Sequence, residues 1–199
     1  MTRSVRAVLA QSRLELLLTL RRGESLVVSL AIPVGILVFF AKVEVVNSLR
    51  DPVQFLVPGV LALAVMSSAM VSLGIATGYE RRYGVLKRLG STPLSRAGLL
   101  TAKTINVLAL EVLQALVLLG VGAALGWRAE GSIATAVGLL LLGTVAFAGV
   151  GLFFAGLLRA EANLAVANAL FLLLLFVGGM AYPLGKLPGA LATLSLIHI

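Results

Sequence analysis

Four polar residues interrupt long apolar stretches of the sequence and could do chemistry inside a membrane: Asn106, Glu111, Gln114 and Asn168. A charged side chain at the bilayer centre costs about 2.5–3.5 kcal/mol on insertion scales, so we expect Glu111 to face protein or water rather than lipid. One interpretation is that these residues line a polar substrate path or the seam of a dimer. Solvation at the membrane interface or structural pairing within the chain is the alternative.

The sequence lacks the motifs of nucleotide, metal and hydrolytic sites. Residues 179–186 approach a phosphate-binding loop, but the spacing is one residue too long, and Leu187 replaces the hydroxyl residue that would hold magnesium. Cysteine is absent and His198 is the only histidine, so neither a zinc site nor an imidazole base can be assembled. The chain is therefore predicted not to be an enzyme and to hold no cofactor.

A basic segment, residues 79–96, follows the second long apolar stretch. Its periodicity predicts a short amphipathic helix with Leu86 and Leu89 on one side and cationic side chains around the rest. Gly90 is predicted to end this helix and Thr92 to cap the next one. A short helix between two membrane helices acts as a lever, because a partner that grips it moves both. A basic anchor without a partner fits the periodicity equally well.

The amino-acid composition indicates that the chain is a membrane protein. Of 199 residues, 60% are hydrophobic and 12% are charged, and the mean hydropathy is +1.08. Ordinary soluble domains have roughly 45–50% apolar and about 25% charged residues. A soluble globule and a disordered chain are therefore excluded, and the absence of cysteine excludes a disulfide-stapled module. The fold class is predicted to be an all-α membrane protein, a polytopic helical bundle.

Five apolar stretches have the length of a membrane-spanning helix, which needs about 20 residues. The predicted spans are 25–41, 55–78, 105–125, 133–158 and 164–180. They lack the alternation of a lipid-facing barrel strand. Small residues within and beside them are interpreted as points where helices pack closely, with pairs of glycines at GxxxG spacing. These small residues are Ser67, Ser68, Ser72, Gly74, Gly78, Gly122 and Gly126.

The distribution of positive charge predicts the orientation. With the N-terminus inside, the cytoplasmic segments are 1–24, 79–104 and 159–163, and the outer ones are 42–54, 126–132 and 181–199. The cytoplasmic segments hold twelve Lys and Arg residues and the outer ones four. This positive-inside bias places the N-terminus in the cytoplasm. The chain has 16 basic and 8 acidic residues. The bias explains this excess of positive charge by membrane topology rather than by binding of nucleic acid.

Residues 1–24 are predicted to form an amphipathic helix in the membrane interface rather than a signal peptide. Val5, Leu9, Leu16 and Leu20 form an apolar stripe next to a row of arginines. That pattern is typical of a helix that turns its apolar side to the bilayer and its arginines to anionic headgroups. A loosely ordered basic tail is the alternative.

Three stretches resemble ABC-2 type transporter permeases, in the order and topology of that family. The run ERRYGVLKRLGSTPLSRAGLLTAKT is similar to the signature that follows the second membrane helix. VLAQSRLELLLTLRRGESLVVSLAIPVGILVFF is similar to the connecting helix and first span, and GGMAYPLGKLPGAL to the turn before the last helix. The resemblance is nearest to the drug-resistance branch typified by daunorubicin exporters.

The resemblance implies a permease subunit of an ATP-binding-cassette exporter in a bacterial inner membrane. A separate soluble ATPase would bind ATP and Mg²⁺, and two permease chains and two ATPases would form the complex. It also implies an ATPase-coupling surface. That surface would consist of Glu80, Arg81, Gly84, Leu86, Leu89 and Pro93.

The family pattern has six membrane helices, so five spans within a membrane domain 25–193 imply a C-terminally truncated chain. The last six residues, 194–199, match the translation of a transposon-based sequencing adaptor and are expected to be an artefact. Two functions of other classes remain as alternatives to the permease. One is a membrane scaffold that binds a cytoplasmic partner but moves nothing, and the other is a proton-driven secondary transporter that uses Glu111.

Overall fold

The computed structural model describes residues 3–21, 23–42, 52–92 and 94–177. These residues form helices joined by short turns, and no strand occurs among them. The helices are α1 (Arg3–Arg21), α2 (Gly23–Lys42), α3 (Pro52–Arg82), α4 (Val85–Leu89), α5 (Arg96–Ala124), α6 (Ile133–Leu157) and α7 (Ala160–Val177). The predicted class, an all-α membrane helical bundle, is confirmed.

Three of these helices, α3, α5 and α6, are long and apolar enough to cross a membrane. They lie over the predicted spans 55–78, 105–125 and 133–158. Shorter apolar helical stretches, Ser29–Lys42 and Ala160–Leu175, lie over the predicted first and fifth spans. The last three residues of the predicted span 164–180, and the whole of 194–199, lie outside the described residues.

Helix α3 is the centre of the bundle and contacts α2, α5, α6 and α7. Toward its N-terminal end, Leu56 and Val57 pack with Leu37 of α2 and Leu118 of α5. A π-helical stretch, Met66–Ser72, interrupts its regular winding and continues the core toward α6 and α7. Because so many of its sides are covered by protein, α3 is the most buried of the three long helices.

The N-terminal helix α1 packs along α5. The face that it turns to α5 is polar, because Glu15 and Thr19 reach partners on that helix. Val5 and Leu9 of the predicted apolar stripe remain exposed. An apolar surface of α1 is thus available for a bilayer, while Glu15 and Thr19 are held by α5.

The backbones of α3 and α6 meet where both carry glycine. A Cβ placed on Gly74 would lie 3.0 Å from the Gly151 carbonyl oxygen, and one on Gly151 would lie 2.5 Å from the Met70 carbonyl oxygen. Gly78 likewise faces Asn163 of α7. Close packing within one chain therefore explains the Gly74–Gly78 spacing.

The second pair of glycines at GxxxG spacing divides into two roles. Gly122 packs against Val57, since a Cβ there would lie 2.8 Å from the Val57 Cγ2 atom. Gly126 has φ +93° and lies in the turn that follows α5, where an L side chain would be strained. Only the first of the two is a helix-packing residue.

Replacing Gly151 by alanine should destabilise the protein by about 1–3 kcal/mol, because the new methyl group meets the rigid backbone of α3. Gly149→Ala is the matched control, since a Cβ at Gly149 has no atom within 4 Å. Thermal unfolding of the purified protein in lipid nanodiscs should give a lower midpoint for Gly151→Ala than for the unchanged protein. The control should not lower the midpoint. Equal midpoints would contradict the close contact.

Candidate functional site

The basic segment 79–96 joins α3 to α5 and is called the hinge below. It contains a break between helices that the sequence did not predict. Helix α3 continues to Arg82, and Gly84 then turns the chain with φ +72° before the short helix α4 begins. The left-handed conformation favours glycine at this position. The predicted continuous amphipathic helix is therefore two helices with a bend between them, although α4 ends before Gly90 as predicted.

The predicted cap of the following helix is wrong by three residues. The Thr92 hydroxyl donates to the Leu89 carbonyl and so closes the end of α4. Ser95 has extended backbone angles, and its Oγ accepts from the backbone N–H of Gly98 at 3.0 Å, which makes it the N-cap of α5. The Thr92 hydroxyl oxygen accepts instead from the backbone N–H of Leu94 at 3.4 Å, and Leu94 precedes the first residue of α5.

Glu80 of the predicted coupling surface is held inside the bundle by a lysine. The Lys103 ammonium of α5 lies 2.7 Å from a Glu80 carboxylate oxygen and 3.5 Å from Glu15 of α1. The Lys103 side chain is only 3% exposed. A buried ammonium is tolerated when carboxylates pair with it, so this Glu15–Lys103–Glu80 triad fastens α1, α3 and α5 together.

The two arginines that end α3 fasten it to the remaining long helices. Arg81 donates to the carbonyl oxygens of Gly156 and Leu158, at the C-terminal end of α6. A cation at that end also complements the negative pole of the helix dipole. Arg82 forms a salt bridge with Glu161 in the first turn of α7. The C-terminal end of α3 is thus tied by side-chain contacts to α5, α6 and α7, and through Lys103 to α1.

Helix α4 is the part of the hinge that the bundle leaves accessible. Leu86 and Leu89 are half-buried, whereas Lys87 and Arg88 are exposed. The helix has no buried residue and packs mainly on the end of α3. It therefore presents two partly covered leucines and two cations at one end of the protein. Pro93 of the predicted coupling surface lies outside the described residues.

Glu111 lies inside the bundle, as the cost of exposing it to lipid predicts. Its carboxylate accepts hydrogen bonds from the hydroxyls of Thr144 on α6, at 2.6 Å, and Ser68 on α3, at 3.3 Å. The residue is only 9% exposed. Ser68 belongs to the π-helical stretch of α3, a type of irregularity that often occurs at functional sites.

Gln114 and Asn106 are also engaged with neighbouring helices. The Gln114 Nε2 atom donates to the Ser29 carbonyl of α2 at 3.3 Å. The Asn106 Nδ2 atom donates to the Thr19 hydroxyl of α1 at 3.3 Å. Both residues lie with Glu111 on the side of α5 that faces protein. The structure does not bring Asn168 to them, since its side chain is exposed and donates to its own helix at Leu164.

Two cavities adjoin these polar groups. A polar cavity of about 250 Å³ extends from Glu80 and Lys103 past Asn106 to Ser68. An apolar cavity of about 220 Å³ lies between α3, α5 and α6 and contains Glu111 in its wall. The hydrogen bond between Ser68 and Glu111 lies between the two cavities.

Sequence reasoning missed the partners that make these sites. The sequence assigns only basic or interfacial segments to Lys103 and Glu15, an apolar span to Thr144, and the predicted cytoplasmic segment 159–163 to Asn163. Asn163 is fully buried and donates to the Gly74 carbonyl at 2.8 Å. For Lys103 a signal existed, because it lies on the same helical face as Glu111, eight residues earlier.

Replacing Lys103 by methionine should destabilise the protein by about 3 kcal/mol, because Glu15 and Glu80 would face each other without a cation. The value lies at the lower end of the range for broken buried pairs, since the Glu80 side chain is 29% exposed. Thermal unfolding in nanodiscs measures the loss. The double variant Lys103→Met with Glu80→Gln should recover part of it, and a purely additive double variant would contradict the triad.

Comparison with known proteins gives one match. A family model described as ABC-2 type transporter matches residues 6–198. No curated protein and no solved structure matches the chain. The family match spans nearly the whole sequence, including the hinge, the Glu15–Lys103–Glu80 triad and the buried Glu111. The chain therefore belongs to the ABC-2 type transporter family, as a membrane domain of that family.

Proposed function

We propose that this chain is the permease subunit of an ATP-binding-cassette exporter, which moves a substrate across the membrane with ATP hydrolysed by a separate soluble subunit. Membership of the ABC-2 type transporter family is the observation that carries the proposal. The sequence supports the assignment of substrate passage to this chain and ATP hydrolysis to another subunit. It has apolar segments that can cross a membrane, and it lacks a nucleotide-binding motif. Two permease chains and two ATPases complete the proposed complex.

Helix α4 is the proposed docking element for the ATPase. Its Leu86 and Leu89 are partly covered on the isolated chain, so a partner can bury the rest of both side chains. Lys87 and Arg88 offer positive charge to an acidic partner surface. The bend at Gly84 sets the angle at which α4 leaves α3.

Glu80 and Arg81 are proposed to transmit force rather than to bind the ATPase. Glu80 pairs with Lys103, and Arg81 bonds to the end of α6, so both side chains are engaged within the bundle. A displacement of α4 would move the end of α3. The Glu80–Lys103 salt bridge would transmit that movement to α5, and the Arg81 hydrogen bonds would transmit it to α6. This arrangement makes the hinge a lever connected to the membrane helices.

The proposed location is a bacterial inner membrane, with the N-terminus and the hinge in the cytoplasm. The twelve-to-four distribution of Lys and Arg supports that orientation. It is also the orientation that the function needs, because a cytoplasmic ATPase can reach α4 only from that side. A location in the inner membrane further agrees with the apolar helices that are long enough to cross it.

The orientation can be measured because the chain has no cysteine of its own. Ser91→Cys, beside α4, and Ala129→Cys, between α5 and α6, both replace exposed residues. In intact cells a membrane-impermeant maleimide should label Ala129→Cys, and it should label Ser91→Cys only after permeabilisation. The reverse pattern would place α4 away from ATP and contradict the proposed function.

Loss of the two α4 leucines should separate the permease from its ATPase. The candidate partner is the product of an adjacent reading frame that carries a GxxxxGK[ST] sequence. The double variant Leu86→Glu with Leu89→Glu should weaken complex formation at least about tenfold, since each buried leucine contributes about 1.5–3 kcal/mol and a tenfold change needs only 1.4. Co-purification and stimulation of ATP hydrolysis measure the effect.

The control for this variant is Ile133→Glu, which also replaces an aliphatic side chain by glutamate, at an exposed position at the far end of the bundle. It should leave complex formation unchanged. If the α4 variant binds the ATPase normally, the docking element is wrong. If transport continues with an ATPase that cannot hydrolyse ATP and depends on a proton gradient, the secondary transporter replaces the proposed function. A complex that hydrolyses ATP without moving any substrate would favour the scaffold.

A further inference from the structure

The apolar cavity between α3, α5 and α6 has the features of a ligand site. Its volume is about 220 Å³, and most of its wall consists of aliphatic side chains such as Ala64 and Leu140. Three polar residues share that wall: Glu111, Gln114 and Thr144. A mainly apolar cavity with a few convergent polar groups is the usual form of a small-molecule site.

The cavity has an exposed rim between α5 and α6. Helices α5 and α6 make few contacts with each other, although each packs on α3. Val112 and Leu141 line the cavity and remain 59% and 48% exposed, respectively. In a bilayer this rim meets hydrocarbon, so an apolar ligand can enter from the membrane.

Glu111 lies below the surface of the predicted third span, 105–125. It is six residues from Ile105 and fourteen residues from Leu125. At 1.5 Å per residue these separations are about 9 Å and about 21 Å. A ligand that reaches the carboxylate must therefore bring its polar group about 9 Å into the apolar layer.

The Glu111 carboxylate is only partly satisfied by the protein. Its two hydroxyl donors, Ser68 and Thr144, also contact carbonyl oxygens of their own helices, at 2.7 Å and 2.9 Å. Each hydroxyl has one proton and must divide it between two acceptors. Within the described ranges no cation pairs with Glu111. The carboxylate thus has acceptor capacity left over, which an N–H donor of a cation can use.

Gln114 adds a second acceptor one helical turn away. Its Oε1 atom is buried and has no hydrogen-bond partner in the part of the chain that the structure describes. Glu111 and Gln114 are three residues apart and lie on one face of α5. An ammonium group, which has up to three N–H donors, can bind the carboxylate and the amide oxygen together.

We infer that this cavity binds an apolar molecule that carries a protonated amine, with its ammonium on Glu111. An apolar cavity of about 150 Å³ holds a benzene ring, so 220 Å³ has room for a ring and a short alkylamine. The inference names a substrate class for the permease and in that respect rests on the proposed function. The binding site itself does not require the ATPase.

The test uses the full chain alone in phosphatidylcholine nanodiscs, so no ATPase and no anionic lipid contributes. The probes are 4-fluorophenethylamine, which is protonated at pH 7, and 2-(4-fluorophenyl)ethanol, which has a similar shape and no charge. Fluorine NMR titration measures binding, and empty nanodiscs correct for partition into lipid. The amine should bind at least tenfold more tightly than the alcohol.

Two variants divide the interaction into its polar and apolar parts. Glu111→Gln should reduce the affinity for the amine to that for the alcohol, because it removes the charge and keeps the shape. Ala115→Leu should weaken both probes, because it fills space in the cavity wall. Glu130→Gln is the control, since it removes a carboxylate from an exposed loop and should change neither affinity.

Equal binding of amine and alcohol by the unchanged protein would overturn the inference, and the cavity would then be a contact for lipid chains or a second copy. This comparison needs no variant, so a folding defect in Glu111→Gln cannot obscure it. A preference for the amine that survives Glu111→Gln would also overturn it. Normal amine binding with no ATPase complex would instead contradict the proposed function and leave the cavity site standing.

Discussion

The Lys103 ammonium imposes a constraint on which the packing of the bundle around the hinge depends. It lies on a helix that is long and apolar enough to cross a membrane, and its side chain is almost fully buried. A charge in that position must find counter-charges within the protein, because neither lipid nor core supplies them. Glu15 and Glu80 do so from two other helices, which fixes how α1 and α3 approach α5. Arg81 and Arg82 extend the same network to α6 and α7.

Deeper in the bundle, close backbone contact takes over from ionic contact. The π-helical stretch of α3 packs against α6 where Gly151 has no side chain, and the same stretch supplies Ser68 to Glu111. Glu111 can receive hydroxyls from both sides only because α3 and α6 are held this near to α5 and to each other. The glycine contact and the polar cluster are therefore parts of one packing arrangement.

The sequence was enough to predict the helices and that Glu111 would not face lipid, because these follow from local composition and from the cost of charge in hydrocarbon. It did not predict which groups would pair. The partners of Glu80 and Glu111 come from helices tens of residues away, and only the packing of α3 decides that they meet. Thr92 and Ser95 are both suitable caps by residue type, and the choice between them depends on the turn that ends α4.

One pattern on α5 did contain more information than residue type alone. Its buried residues follow a helical stripe and include three polar ones, Lys103, Glu111 and Gln114. A stripe of this kind turned to lipid would be costly, so it predicts a protein-facing side that is polar along its length. Asn168 shows the limit of arguing from residue type, because its side chain bonds to its own helix and needs no neighbour.

The same stripe connects the two ends of the proposed mechanism. Lys103 and Glu111 are eight residues apart on one continuous helix, a separation of about 12 Å along its axis. A rigid helix cannot move at Lys103 without moving at Glu111, and the Glu15–Lys103–Glu80 triad links that point to the end of α3 beside α4. Under the proposed function, a pull on α4 would therefore act on Lys103 and, through the same helix, on the Glu111 carboxylate. Under the proposed function, this coupling would let a cytoplasmic partner alter the affinity of the cavity for its ligand without touching it.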